Sequence, residues 1–293
     1  MGEPYAYIDD EFKKASEAKI SILEPTFNKG DSVYDTVSVL NKMIFRLDDH
    51  LSRFENSCEQ MEIKIPYSRQ EVKSICIQLV EKSQFKDAIF SLIGRRGPYT
   101  DFTKRDLRTC KNGLIVVVVP LYNIFGMDKE KDGLKVSIVQ NRRVPKEAID
   151  ATVKNYNWMD LNRGSLQAYK NGDDTAVLCT PDGYLSEGPG FNIWIIKDGK
   201  LYTPKGNLLE GITRKSVFEI AHELGLEAQE RTLKPIDLEE ADEAFSCTTA
   251  AGITPITHVN GKSLGNGHPG ISSIKIQTTY WEKRKQGWHG TAV

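Results

Sequence analysis

Residues 191–204 read FNIWIIKDGKLYTP, two apolar runs joined by Lys-Asp-Gly. Asp-Gly between such runs is a strong hairpin signal. The tight two-residue turn needs a left-handed backbone, which Asp and Gly tolerate. The stretch therefore makes its sheet antiparallel here. Around it lie more short strand-like segments: LKVSIVQ (134–140), TAVLCT (175–180), AQERTLKP (228–235), EAFSCTT (243–249) and ITHVNG (256–261). A helix is expected at TRKSVFEIAHELG, with Thr213 as N-cap and Gly225 just past its end. A last long helix, about 270–286, ends in EKRKQG.

The first half opens with AYIDDEF, AKISILE and SVYDTVSVL, all read as extended, followed by KMIF. In RLDDHLSRFENSCEQM, Leu47, Leu51, Phe54 and Cys58 recur at spacings of four, three and four, one face of an amphipathic helix. Ser68 and Glu71 form a capping box opening a second helix, whose buried stripe is Val72, Ile75, Cys76, Leu79 and Val80. DAIFSLIG and GLIVVVVPLY then read as strands. The composition change at PLYNIFGMDKEKDG suggests a linker, so the expected organisation is residues 1–120, a linker at 121–132, and 133–293. Strands not separated by regular helices, and the absence of GxGxxG or GxxxxGK[ST], argue for α+β with mixed or antiparallel sheets rather than a doubly wound nucleotide fold.

Bulk properties exclude several classes. The 39 Lys plus Arg balance 40 Asp plus Glu, so nothing draws the chain to nucleic acid or an anionic membrane. Five scattered cysteines without CxxC spacing read as free thiols in a reducing compartment, not a zinc site. The start MGEPYAYIDDEF has no signal-peptide pattern, and Ala6 spoils a myristoylation motif. The longest apolar run, LIVVVVPLY at 114–122, is too short to span a bilayer. A cytoplasmic protein is expected.

Four stretches carry chemistry. In ATVKNYNW (151–158), Lys154 stands among β-branched and aromatic residues. Burial there would favour a neutral, nucleophilic amine; the alternative is a lysine snorkelling at a seam. In YLSEGPGFNIW (184–194), Glu187 precedes Gly-Pro-Gly, so its carboxylate sits where a backbone can approach a ligand. Such an acid either pairs with a protonated heterocyclic nitrogen or lies solvated on a surface turn. LLEGITRKSVFEI and SCTTAAGITP offer helix N-terminal N–H groups, hydroxyls and small residues suited to an anion. Arg53, one turn after His50, is a matching guanidinium or else an exposed helical arginine.

Together, RLDDHLSR, TVKNYNW, LSEGPGFNI, LLEGITR and SCTTAAGITP resemble, in order, the motifs of the class IV (fold type IV) pyridoxal-phosphate aminotransferases, over about Tyr7 to Ile256. The resemblance implies a two-domain α+β fold, with a smaller N-terminal and a larger β-rich C-terminal domain. It implies pyridoxal 5′-phosphate as cofactor, ping-pong kinetics and a homodimer. Carried over, it makes Lys154 the Schiff-base lysine and proton shuttle. Glu187 becomes the partner of the ring nitrogen, and Arg53, Ile212, Thr213 and Thr249 the phosphate site, with Tyr34 lining the substrate pocket.

YDTVSV, FRLDDHLSRFENSC and AIDATVKNYNWMDLNRG look most like (R)-selective amine transaminases, which implies transfer from an amine or amino acid to a keto acid such as pyruvate. Lys29 stands where those enzymes tend to have histidine, and Ser91 where some carry glutamate. No Arg-x-His pair follows RRG. Arg96 matches the arginine of the TRG-type turn, and Lys104, Arg105 or Arg108 are expected to reach a substrate carboxylate, unless that loop is simply a solvated basic turn. Branched-chain aminotransferase is the alternative. A lyase of the aminodeoxychorismate type and a non-catalytic homologue also stay open.

Overall fold

A computed structural model describes residues 2–293, with helices and two sheets in an α+β arrangement. The chain forms two compact units. One holds the described residues through Tyr122, then Val153–Asn157 and Arg284–Val293; the other holds Asn123–Thr152 and Trp158–Lys283. The expected division was a single cut near 121–132. The chain instead sends two later pieces to the first unit.

The first unit begins with β1 (Tyr5–Ile8), β2 (Glu11–Lys14), the short α1 (Pro25–Asn28), β3 (Ser32–Leu40) and β4 (Met43–Phe45). It continues through α2 (Leu47–Gln60), α3 (Arg69–Ser83), β5 (Ala88–Arg95) and β6 (Gly113–Pro120). AKISILE is not a strand: residues 18–24 are loop and turn, with Ile20, Ile22 and Leu23 exposed. The helix readings hold. Leu47, Leu51, Phe54 and Cys58 face inward on α2, and the Ser68–Glu71 capping box opens α3. Both helices contribute to one core with Val33, Val37, Phe90, Leu92, Val116 and Val118, alternate residues of β3, β5 and β6.

The second unit contains α4 (Lys129–Asp132), β7 (Leu134–Arg142), α5 (Met159–Lys170), β8 (Thr175–Cys179), β9 (Asn192–Lys197) and β10 (Lys200–Pro204). Then come α6 (Ile212–Glu223), β11 (Ala228–Arg231), α7 (Pro235–Glu239), β12 (Glu243–Thr248), β13 (Gly252–Val259), β14 (Lys262–Ser263) and α8 (Ile271–Lys285), whose last two residues count with the first unit. Its main strands run β11-β10-β9-β12-β13-β7-β8. The β9–β10 hairpin turns at Asp198 and Gly199, both at positive φ, as the Asp-Gly signal requires. The sheet is mixed, because α5 carries the chain from β7 to the parallel β8, and α6 does so from β10 to the parallel β11. Ile193 and Ile195 enter one core while Trp194 faces the other way, packing on Phe218 of α6 at 4.8 Å between ring centroids.

The chain's last strand, β15 (Gly290–Ala292), pairs with β4 and completes the antiparallel first-unit sheet β15-β4-β3-β5-β6-β1-β2. Among the described residues, no helix is long and apolar enough to cross a membrane, no metal-binding cluster of His, Cys, Asp or Glu occurs, and all five cysteines are free.

Candidate active site

In the first unit, β3 sends Tyr34 and Asp35 to opposite faces of the sheet. On the side away from β5, β4 pairs only with Val39 and Leu40. The earlier part of that edge is taken by the segment carrying Lys154. Tyr34 N–H donates to the Lys154 carbonyl at 2.9 Å, Asn155 bridges to Val33, and Lys154 N–H donates to Ser57 Oγ of α2 at 3.2 Å. These bonds fix the lysine backbone on both sides. Its side chain is half-buried rather than buried, with Nζ 4.4 Å from the centre of the Tyr34 ring, where the ring quadrupole attracts a cation. Tyr34 stacks on Tyr156 at 4.2 Å and 17°. Tyr156 therefore packs on Tyr34 and not in the core, and burial pushes its hydroxyl pKa upward.

Asp35 lies on the core face between Val33 and Val37, with no solvent exposure. Its Oδ2 accepts from Arg53 Nε at 2.8 Å. Its Oδ1 accepts from Arg53 Nη2 at 2.9 Å, His50 Nδ1 at 2.7 Å and Thr36 N–H at 2.8 Å. Burial alone would raise the Asp35 pKa, but Arg53 and His50 outweigh it and hold the carboxyl far below its usual range. An ionised carboxylate only accepts, so His50 carries its proton on Nδ1. Burial depresses the His50 pKa against the pull of Asp35, leaving a neutral ring near neutral pH. Arg53 is thus no exposed helical arginine but one arm of a buried triad.

The second unit brings three of the singled-out stretches together. Residues 185–187 run beside β8, with Leu178 N–H donating to the Glu187 carbonyl at 3.0 Å. The chain then turns at Pro189-Gly190, with Gly190 at φ 85, the backbone that a Pro-Gly turn of this kind demands. Glu187 is 6% exposed. Its Oε1 lies 3.2 Å from Arg143 Nη2, and its Oε2 accepts from Leu209 N–H at 3.1 Å. Arg143 also reaches Asp160 at 2.6 Å, so this guanidinium braces two carboxylates.

Asn192 Nδ2 donates to the Leu209 carbonyl at 2.8 Å, and a Cβ on Gly211 would overlap Asn192 Oδ1. Glycine is needed there for close approach. Gly211, not Thr213, is the N-cap of α6. It brings no side chain to the cap, so no cap hydroxyl or carboxylate takes up the first-turn N–H groups. Ile212 and Thr213 open the helix, both buried. Thr248 Oγ donates to the Gly190 carbonyl at 2.7 Å, tying the end of β12 to the Pro-Gly turn, and half-buried Thr249 begins the turn into β13.

The residues expected at a substrate pocket lie in several places in the first unit. Ser91 pairs across the sheet with Thr36, their hydroxyls 3.4 Å apart, on the face that also carries Tyr34. Arg96 is buried. It bonds Asp31 and the carbonyls of Met61 and Glu62 where α2 ends. Lys29 is exposed at the end of α1. Lys104 pairs with Asp101 and Arg108 with Asp106, while Arg105 lies over the Phe102 ring at 4.9 Å. Asp35, Arg143, Asn192 and Leu209 were not singled out as site residues. The signal for Asp35 was present: an acid at an inward position of an alternating strand must have a partner. Leu209 acts through its backbone, which no sequence motif displays.

The donor sets suit pyridoxal phosphate. A helix N-terminus with no side-chain cap, opened by Ile212 and Thr213, is phosphate chemistry, and a braced buried carboxylate suits a protonated ring nitrogen. In the first unit, Lys154 supplies an amine and Arg53 an oriented guanidinium.

A family model described as amino-transferase class IV matches residues 32–259. A Methanocaldococcus jannaschii protein, provisionally named branched-chain-amino-acid aminotransferase, is 30% identical over 281 residues, covering 95% of this chain and 96% of its own. The branched-chain-amino-acid aminotransferase of Pseudomonas aeruginosa is 29% identical, covering 94% of this chain and 91% of its own. A solved structure of the T.th. branched-chain amino acid aminotransferase with pyridoxamine 5′-phosphate has a TM-score of 0.92 at 25% identity, covering 100% of this chain and 99% of that one.

Proposed function

From the premise that the chain belongs to the class IV aminotransferases, which work with pyridoxal 5′-phosphate, we propose that it transfers the amino group of a branched-chain or similar aliphatic amino acid to a keto acid. The observation that carries this reading is Lys154, fixed by backbone bonds on both sides with its amine over the Tyr34 ring. The names of the relatives support the substrate class.

The bound cofactor supplies an aldehyde carbon that condenses with amines and a protonated ring that accepts electron density from the substrate carbon. Lys154 Nζ would anchor it, and would hold and move the proton of the substrate carbon. Glu187, held by Arg143, would face the ring nitrogen and favour its protonated form. Arg53, the N–H groups of Ile212 and Thr213, and the hydroxyls of Thr213 and Thr249 hold the phosphate. Tyr34 and Ser91 line the substrate side, and Lys29, Lys104 and Arg105 are the cations offered to the substrate carboxylate. The working form is a homodimer.

A second reading, transfer from an (R)-amine to pyruvate, is supported by the YDTV stretch of β3 and the Tyr34–Tyr156 stack, an aromatic surface suited to an aryl amine. The test is a half-reaction panel on the yellow protein, following loss of the cofactor band. L-Leucine should bleach it at least tenfold faster than (R)-1-phenylethylamine, (S)-1-phenylethylamine or D-alanine. A faster (R)-amine moves the assignment to the second reading. Borohydride should leave a pyridoxyl group on the Lys154 peptide; label on another lysine would sink both.

A further inference from the structure

We propose that Asp35 is a positioning residue for anion recognition: it fixes the plane of the Arg53 guanidinium before any phosphate arrives, and His50 fixes Asp35 in turn. This rests on the reading of Arg53 as a phosphate-binding residue. Three observations carry it. Asp35 interrupts the apolar core face of β3, with Val33 and Val37 on either side, where an apolar residue would fold at lower cost. Its carboxylate receives Arg53 through two parallel bonds, Nε to Oδ2 at 2.8 Å and Nη2 to Oδ1 at 2.9 Å. That fork sets both the place and the plane of the guanidinium, which a single contact does not. Finally, two further donors, His50 Nδ1 and Thr36 N–H, bond Oδ1, so the carboxylate has little freedom to rotate.

The location fits that purpose. His50 and Arg53 lie three residues apart on α2, so one strand residue meets both. Ser57, a further turn along the same helix, receives the Lys154 N–H. One helix thus sets the lysine backbone and, through Asp35, the arginine. Buried ion pairs seldom add net stability over apolar packing of similar size, but they do fix orientation. Geometry is the gain that a phosphate site needs.

The experiment compares pyridoxal 5′-phosphate with pyridoxal, which lacks the phosphate, as ligands of the cofactor-stripped full chain. Binding is followed by the visible band and by tryptophan quenching. The ratio of the two affinities isolates the phosphate's share, because contacts to the ring and to Lys154 cancel. A role confined to folding would weaken both ligands alike and leave the ratio unmoved. We expect Asp35→Asn to lower the ratio at least tenfold, towards the value of Arg53→Gln, and the double variant to lie no lower than Arg53→Gln alone. An unchanged ratio overturns the proposal. So does a raised one, since the carboxylate would then act only by cancelling the arginine's charge. If Asp35→Asn does not fold, Asp35→Glu keeps the charge but displaces the carboxylate by one carbon; it too should lower the ratio, and a wild-type ratio there overturns the proposal. A wild-type chain that binds both ligands equally removes the phosphate-site reading itself, and the proposal with it.

Discussion

Asp35 and Lys154 are each conspicuous against their surroundings, yet the sequence makes them legible to different degrees. Lys154 could be singled out from ATVKNYNW, although its setting is an aromatic face rather than a buried pocket. Asp35 reads as one polar residue in an alternating strand until His50 and Arg53 are seen to converge on it from a helix. Its depressed pKa has a consequence for acid stability. A carboxyl ionising more readily in the folded chain contributes stability that is fully present above its unfolded value, about 3.9, and is lost as pH falls below it towards the folded value. His50, also depressed, has the same sign just below its ordinary value near 6.5. The stability advantage of wild type over Asp35→Asn, from urea melts, should therefore be flat from about pH 7 upward, widen as His50 titrates, because Asp35 favours the charged ring, and shrink only below about pH 4. Parallel curves across that range would falsify the assignment of this charge to Asp35.

At the scale of elements, legibility followed whether the signal is local. The Ser68–Glu71 box is written within four residues, and both reciprocal bonds form: Glu71 N–H to Ser68 Oγ at 3.3 Å and Ser68 N–H to Glu71 Oε2 at 2.7 Å. Ser68→Ala should cost about 1 kcal/mol in a denaturant melt with little change in cofactor binding, since α3 carries none of the site residues. A loss below about 0.3 kcal/mol would mean the cap is redundant. The α5 helix escaped the reading because its inward face is Leu161, Gly164 and Ala168, while Met159, Leu166 and Tyr169 lie exposed. Gly164 is small for a reason: a Cβ there would come within 2.8 Å of Leu178 on β8. AKISILE erred the other way, its alternation promising a strand that has no neighbour to pair with. The N-cap of α6 shifted from Thr213 to Gly211 because the fold needs close approach to Asn192 more than it needs a side-chain cap.

At the scale of the whole molecule, composition suggested one linker, but the first unit is completed by residues that come much later. Such non-local pairing leaves no trace in a local pattern, because either partner strand reads the same whether or not the other exists. Residues 153–157 return to bring Lys154 to β3, and β15 returns to pair with β4. The last residues also give β4 and the start of α2 much of their support. Trp288 packs on Phe45 and under the Arg46 guanidinium, and the His289 carbonyl accepts from Arg46 N–H at 2.9 Å. Val293 N–H donates to the Lys42 carbonyl at 3.1 Å. Deleting residues 288–293 exposes the β4 edge and part of the Phe45 ring, a loss of about 2–4 kcal/mol by analogy with other core-opening changes. At about 2–4 °C per kcal/mol for a domain of this size, the melting temperature should fall by roughly 4–16 °C. Hydrogen exchange separates the scales. Met43–Phe45 and the first turn of α2 should lose protection, while β9, β10 and β12 of the second unit keep theirs. Uniform loss in both units would show that these residues support the whole chain and not the first unit. Since α2 carries Arg53, the truncated chain should also bind pyridoxal 5′-phosphate more weakly than wild type even below its melting range.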